Sequence, residues 1–401
     1  MNGVLFPNVF IISIMRTFEY RLYPTKEQRD RLQQCLTETR QAYNTMLDYA
    51  KAQYEQSQTF PSKYDLTAAF AGTAGEHTPA TTLQTIADSL AKALKFFGNH
   101  RHERQPDGSP RVGFPRFKQP NQWHSFQLRQ YGPGRDVHLD GRHLSVPRKL
   151  GSCIKIKVHR PFDGTPKTAY LVKRVDGHWY ALLVCETPPV VDVVPTEDNR
   201  PPIGIDVGLK SFLTDSNGDT VANPRFFLTS QKTIRRKQRT LSRRQKGSNR
   251  RKKAARSVAQ SHLKIDRQRR DFHFKVAHHY AVLYALIVVE HLHIAGMARN
   301  RRLSKSILDA GWASFLNILQ YKAERAGSEV RRIDARYTTQ RCSRCGELTP
   351  KSLSVRTHVC QHCSFVLDRD HNAAINILRA GARPSGTIDT SRSDELRSHI
   401  L

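Results

Sequence analysis

Four cysteines constrain this chain more tightly than anything else in it. Cys342-Ser-Arg-Cys345 and Cys360-Gln-His-Cys363 are two CxxC pairs with fourteen residues between them. Each pair offers two thiolates from one tight knuckle. Two knuckles at this spacing surround a single tetrahedral ion, with sulfurs at about 2.3 Å and no open coordination position. Structural Zn²⁺ follows rather than catalytic zinc, because four thiolates leave no place for a reacting water. The competing explanation is a redox pair, which a metal-binding spacing in a reducing cytosol disfavours. Thr338, Thr339, Arg341, Arg344 and Arg356 surround the module, and they either touch a phosphate backbone or simply solvate it.

The rest of the chain is too long for one ordinary domain. Its 401 residues imply two to four compact units, and 38% hydrophobic residues suffice for real cores. Lys and Arg number 65 against 35 acids, a formal charge of +30. A polyanion is the natural partner, since each neutralised phosphate releases condensed counterion. About half of that excess lies in residues 231–280, where 18 Lys/Arg meet only Asp266 and Asp271. A helix this basic repels itself unless an anion lies along it, which favours nucleic acid over a merely solvated face. No apolar run reaches the roughly 20 residues of a membrane span. The apolar opening, residues 1–14, lacks a basic n-region and contains Pro7, so it is no signal peptide. Either Met15 is the true start or residues 1–14 are a dispensable extension.

Alternation predicts a strand over residues 16–22, and Thr25 with Gln28 forms a capping-box start for a long amphipathic helix. A second helix is expected over 81–97. From about 107 short β-like runs take over, including 154–158 and a hairpin of 169–175 and 179–185 joined by a two-residue Asp176-Gly177 turn. Residues 188–202 form a Pro-rich linker. Beyond it come a strand ending near Asp206, a strand over 211–214 with an Asn217-Gly218 turn and another short strand, and two basic helices broken near Gly247. A strand running into Glu290, a helix over 312–325, a strand over 330–333 and a helix from Asp370 complete the pattern. Residues 382–401 carry no periodicity and are expected to be disordered.

Three acids are placed for two-Mg²⁺ phosphodiester hydrolysis, which needs carboxylates converging from separate elements on ions about 4 Å apart. Asp206 and Glu290 end apolar runs, and Asp370 opens a helix. Each has a plain structural alternative: a turn residue for Asp206, a strand end meeting water for Glu290, a helix cap for Asp370. Their order, with a cysteine module directly before the third, is harder to obtain by chance.

The segments GIDVGLKSF (204–212), VVEHLHIAGMARNRRL (288–303), DAGWASF (309–315), YTTQRCSRCG (337–346) and DRDHNAAINI (368–377) resemble successive blocks of the TnpB proteins encoded by bacterial insertion sequences. These are similar in turn to the RuvC nuclease domains of type V CRISPR effectors. FEYRLYPT (18–25) and GFPRFK (113–118) resemble the family's N-terminal half. The resemblance implies an RNA-guided DNA endonuclease with an Asp206, Glu290, Asp370 triad. Asp370 is preferred to Asp368 because it is the acid before xNAA. It also implies an α+β multidomain fold: a β-barrel wedge domain (15–26 and 107–195) interrupted by a helical recognition domain (27–106), then an RNase H-like (RuvC) α/β domain (200–335 and 364–381) with an inserted zinc ribbon (336–363). Implied cofactors are structural zinc, two catalytic Mg²⁺ and a guide RNA from the transposon end. The implied target is double-stranded DNA, bound by a monomer on one RNA, with a dimer as the alternative, in the bacterial cytoplasm.

In GFPRFK the aromatics interleave with cations, an arrangement that stacks bases and pairs phosphates. Arg116, Phe117 and Lys118 are therefore candidate nucleic-acid contacts, with a buried barrel turn as the alternative for Phe114 and Phe117. Arg235, Arg236, Lys237, Arg243, Arg244, Arg251, Lys252 and Lys253 of the basic segment, and Arg356 of the ribbon, join them. Two rival functions remain. One is a strand-joining transposase or transposition regulator, which also uses three acids. The other is an RNA-guided repressor without cleavage, against which the intact triad argues.

Overall fold

The computed structural model describes residues 14–104, 108–187, 199–352 and 355–382. The apolar opening, most of the Pro-rich linker and nearly all of the polar tail lie outside these residues. The chain divides into two compact units, Met1–Val190 and Val191–Leu401.

The N-terminal unit starts with β1 (Ile14–Tyr23), then α1 (Lys26–Ser57), α2 (Lys63–Ala69) and α3 (Ala80–His100). Thr25 caps α1, and its side chain and that of Gln28 bond each other's backbone amides. The sequence pattern missed α2, a seven-residue helix too short to show a period. Six strands follow: β2 (Ser125–Leu128), β3 (His138–Asp140), β4 (His143–Ser145), β5 (Cys153–Lys157), β6 (Thr165–Lys173) and β7 (Trp179–Thr187). With β1 they form one antiparallel sheet of order β2-β6-β7-β1-β5-β4-β3. The sheet curls until the backbone beyond β2 meets that before β3, where Val137 N donates to Gln130 O at 3.1 Å. The β6–β7 turn differs from expectation. Arg174 N donates to His178 O at 2.9 Å, so the loop has three residues, Val175 to Gly177, rather than two. Gly177 adopts φ 81°, the left-handed position that such loops require.

Helix α1 serves two cores. Its first half places Leu32 and Leu36 against the sheet, beside Tyr20, Leu128, Leu171 and Trp179. Its second half places Met46, Leu47 and Ala50 among Leu66, Leu90 and Leu94 of α2 and α3.

The C-terminal unit contains β8 (Pro202–Val207), β9 (Ser211–Asp215), β10 (Thr220–Ala222), α4 (Phe226–Ser242), α5 (Asn249–Leu283), β11 (Leu286–Glu290), α6 (Ile294–Met297), α7 (Ser304–Ala310), α8 (Trp312–Arg325) and β12 (Glu329–Ile333). A small hairpin, β13 (Thr357–Val359) and β14 (Val366–Asp368), and the helix α9 (Arg369–Ala382) complete it. The main sheet runs β10-β9-β8-β11-β12, with β8, β11 and β12 parallel. Parallel neighbours need crossovers, supplied by α4–α5 and by α6–α8.

The two faces of this sheet differ. Ile203, Ile205, Ile287 and Val289 point into a core with Ala277, Tyr280, Trp312, Phe315 and Leu319 of α5 and α8. Side chains alternate along a strand, so Gly204, Asp206, Val288 and Glu290 take the opposite face, where α9 lies. Helix and sheet meet at two glycines. A Cβ on Gly204 would stand 2.3 Å from the Ala374 carbonyl oxygen, and one on Gly381 would stand 2.3 Å from Val288 Cγ1. Backbone thus rests on backbone where α9 crosses β8.

Candidate active site

The register of the parallel strands brings the first two acids together. Ile205 pairs with Val289, so Asp206 and Glu290 are the next residues along two hydrogen-bonded neighbours, on the same face. The third acid enters from α9. Asp368 accepts from the amides of Asp370 (2.9 Å) and His371 (3.2 Å), which makes Asp368 the helix cap. That leaves the Asp370 side chain, in the first turn, free of capping duty and clear of the competing explanation for it. Asp206 lies within β8, so it is no turn residue.

Asp206 and Glu290 are each only 9% exposed. Burial first, then the charges of Glu290 and Asp370, push the Asp206 carboxyl well above its ordinary range, while Arg369 pulls it down. Burial also raises Glu290, opposed by a hydrogen bond from Thr338. Among the described residues no donor hydrogen-bonds the Asp206 carboxylate. Nearby Asp215 is the contrast: it accepts from the amides of Asn217 and Asp219 at 3.0 Å and from Tyr280 Oη at 2.8 Å. Asp215 is an acid consumed by the fold, whereas Asp206 is left over by it. Two cations face Asp370. The Arg369 guanidinium contacts Oδ1 at 2.7 Å, and Arg356 stands 3.8 Å from Oδ2. Arg356, expected on nucleic acid, therefore faces a carboxylate in the protein.

The four cysteines form a group whose sulfurs all lie within 4.8 Å of one another. Cys342 and Cys363 Sγ are 3.7 Å apart, and Cys345 and Cys360 Sγ 3.5 Å. A tetrahedron of sulfurs at about 2.3 Å from a central ion has edges of about 3.8 Å, so the set fits Zn²⁺. These separations far exceed a disulfide's length of about 2.05 Å. Among the described residues the cysteine set is the sole group of three or more such ligands this close; the three carboxylates stand further apart.

The basic residues divide. Arg235, Arg236, Arg243, Arg244, Lys252 and Lys253 are exposed on α4, α5 and the turn between them. Lys237 instead bonds Ser261 Oγ at 2.6 Å, and the Arg251 guanidinium bonds the carbonyls of Leu241 (2.9 Å) and Arg244 (3.0 Å), closing the turn. In the N-terminal unit Arg116 is exposed, and Phe117 is 40% exposed with the Lys51 ammonium 4.3 Å from its ring centroid. Phe114, partly buried, packs on Phe60 and Phe97 against the helical core. Lys118 is held by its backbone, its amide donating to Asn44 Oδ1 at 2.7 Å. Sequence reading missed Arg369 as the partner of Asp370, although the two are adjacent. It also did not foresee Thr338 buried against Glu290, for which spacing carries no signal.

Comparisons with known proteins agree with this architecture. A family model described as a probable transposase (OrfB, IS605) matches residues 183–301, and one for the Cas12f1-like TNB domain matches 312–377. A model named for a helix-turn-helix domain matches 14–59, although those residues form a strand and one long helix. A Streptomyces pristinaespiralis protein provisionally named an RNA-guided DNA endonuclease is 30% identical over 387 residues, covering 94% of this chain and 92% of its own. The similarly named InsQ of Escherichia coli is 29% identical, covering 76% of this chain and 75% of its own. Among solved structures, Cas12f1 in complex with guide RNA and target DNA superposes with a TM-score of 0.57 at 14% identity, over 91% of this chain and 98% of that one.

Proposed function

The chain belongs to the TnpB/OrfB family, and from that premise we propose that it is an RNA-guided DNA endonuclease cutting by two-metal hydrolysis at Asp206, Glu290 and Asp370. The observation that carries this reading is the shared face of β8, β11 and α9, which carries all three carboxylates, one of them, the buried Asp206, with no hydrogen-bond donor among the described residues. A fold does not keep such a charge in its interior without use for it, and a divalent cation is the partner that suits an all-oxygen set. Bound Mg²⁺ would supply the chemistry, activating water on one side of the phosphate and steadying the leaving oxygen on the other. The chain's own part is to hold the acids in register. β8 and β11 align Asp206 with Glu290, Asp368 frees Asp370, and Arg369 tempers the repulsion.

In this reading the C-terminal sheet with α9 is an RNase H-like (RuvC) domain and the cysteine module its zinc ribbon. The curled N-terminal sheet is the wedge domain, and α1–α3 the recognition domain. The exposed cations of α4 and α5, with Arg116 and Phe117, track nucleic acid. The relatives' names support guidance by RNA. Base pairing would then supply sequence specificity, and the protein would read shape and a short motif beside the target.

The test is to purify the tagged protein from cells carrying its native locus, sequence the RNA that accompanies it, and offer a DNA target matched to that RNA. A discrete RNA with a variable end, Mg²⁺-dependent cutting of the matched target, and loss of cutting in Asp206→Ala are expected. Random RNA would overturn guidance. Strand-transfer products in place of hydrolysed ends would favour the transposase.

A further inference from the structure

The cysteine module and the carboxylates are physically joined, and the joint is one hydroxyl. Thr338 lies four residues before Cys342 and is 7% exposed. Its Oγ1 is 2.5 Å from Glu290 Oε1 and 3.1 Å from the Ala335 carbonyl oxygen. Tyr337, just before it, has φ 62°, a left-handed conformation that bulky residues avoid, and its ring is 57% exposed. The chain reverses at that point, turning the ring outward and the next hydroxyl inward. Strained backbone of this kind persists only where its surroundings enforce it.

Those surroundings are α9. Asn376 Nδ2 donates to the carbonyls of Thr338 (2.9 Å) and Arg341 (2.7 Å). One turn earlier Asn372, fully buried, donates to Arg341 O at 2.8 Å and accepts from Ser343 N at 2.9 Å. Arg379 bonds the Ser343 carbonyl. Positions 372, 376 and 379 form one helical stripe, and Ser343 sits inside the first CxxC knuckle. The helix that carries Asp370 thus grips the knuckle, and the segment leading into the knuckle holds Glu290.

We infer that Thr338 is a positioning residue for Glu290, and that the zinc-bound knuckle, through Thr338, tunes how tightly the carboxylates bind their divalent cations. The hydroxyl engages Oε1 and leaves Oε2 to an ion, as partners one step removed from a metal commonly do. This inference rests on the proposed ion-binding role of Asp206, Glu290 and Asp370.

The test compares Thr338→Val, nearly the same shape without the hydroxyl, with Thr338→Ser, which keeps it, in full-length protein purified with its guide RNA. Two quantities are read: the Mg²⁺ concentration giving half-maximal cleavage, and Mn²⁺ affinity by electron paramagnetic resonance, with Asp206→Ala subtracted as background. Thr338→Val is expected to weaken both about ten-fold, with zinc content unchanged, saturating Mg²⁺ restoring most of the rate, and Thr338→Ser behaving as wild type. Asn376→Ala, which loosens only the support, should shift both in the same direction by less, and it decides the matter if Thr338→Val fails to fold. Wild-type ion dependence in both variants, while Asp206→Ala abolishes cleavage, overturns the inference alone. Cleavage surviving Asp206→Ala overturns the functional reading beneath it.

Discussion

The four cysteines lie within 22 residues of chain, and the three carboxylates are spread over 165. The first set is local. Two knuckles and a short hairpin bring the sulfurs to the edge lengths of a tetrahedron, and any ion there is closed off. The second set depends on topology. Asp206 and Glu290 meet because two distant strands are parallel and in register, and Asp370 joins them because a helix from the far end of the chain lies across both. Soft thiolates around a zinc ion would lend stability to the module that holds them. Hard carboxylates in a buried site cost stability unless a cation offsets their charge.

The largest effect that could break this contrast is loss of zinc. Cys360→Ser should release the ion and unfold the ribbon, since structural zinc contributes on the order of 10 kcal/mol to modules of this size. Zinc per chain and limited proteolysis across residues 336–368 measure it. A variant that kept one zinc and full protease resistance would show the ribbon to be held by packing instead.

Asp206→Asn should act in the opposite sense. The folded state raises the Asp206 pKa above 3.8, so it disfavours the charged form, and the wild-type chain carries that penalty once the pH exceeds the raised value. In metal-free buffer the substitution should therefore raise Tm at neutral and alkaline pH, by about 2–4 °C for each kcal/mol recovered. The gain should shrink to nothing as pH falls toward 3.8. A lower Tm at pH 8 would mean that the carboxylate has a stabilising partner after all.

His273 sharpens the comparison with the smallest of the three effects. It lies in the core on the other face of the same sheet, stacked on Phe212 with its Nε2 2.9 Å from Ala310 O. Burial lowers its pKa from 6.5 to about 4. Its contribution is complete above 6.5 and is lost as pH falls toward 4, about 3 kcal/mol in all. Chemical denaturation of His273→Gln between pH 4 and 7 should show a flatter acid limb than wild type. An unchanged limb would assign the acid response to other groups.

What could be read in the sequence divides along the same line. The cysteine spacing, the capping box of α1, the break between α4 and α5 and the span of α8 are local, and they were legible. The three acids were legible as strand ends and a helix start. Their convergence was not, because it lies in strand order rather than in spacing. Helix α2 was hidden by its shortness, and the β6–β7 turn was misjudged because Asp-Gly suits two loop lengths. Charge separated nucleic-acid candidates from the rest only coarsely. Lys237, Arg251 and Arg356 also have partners within the protein, which no count of cations shows.

Gly204 carries a consequence out of proportion to its size. It precedes Asp206 by two residues on the same face, and α9 rests directly on it. The clearance between two of the acids is thereby gauged by an atom that is missing. One methyl group there would lift the helix that bears Asp370, widening the gap between the acids, while every acid, cysteine and arginine of the sequence was kept. A catalogue of reactive side chains would call such a variant intact.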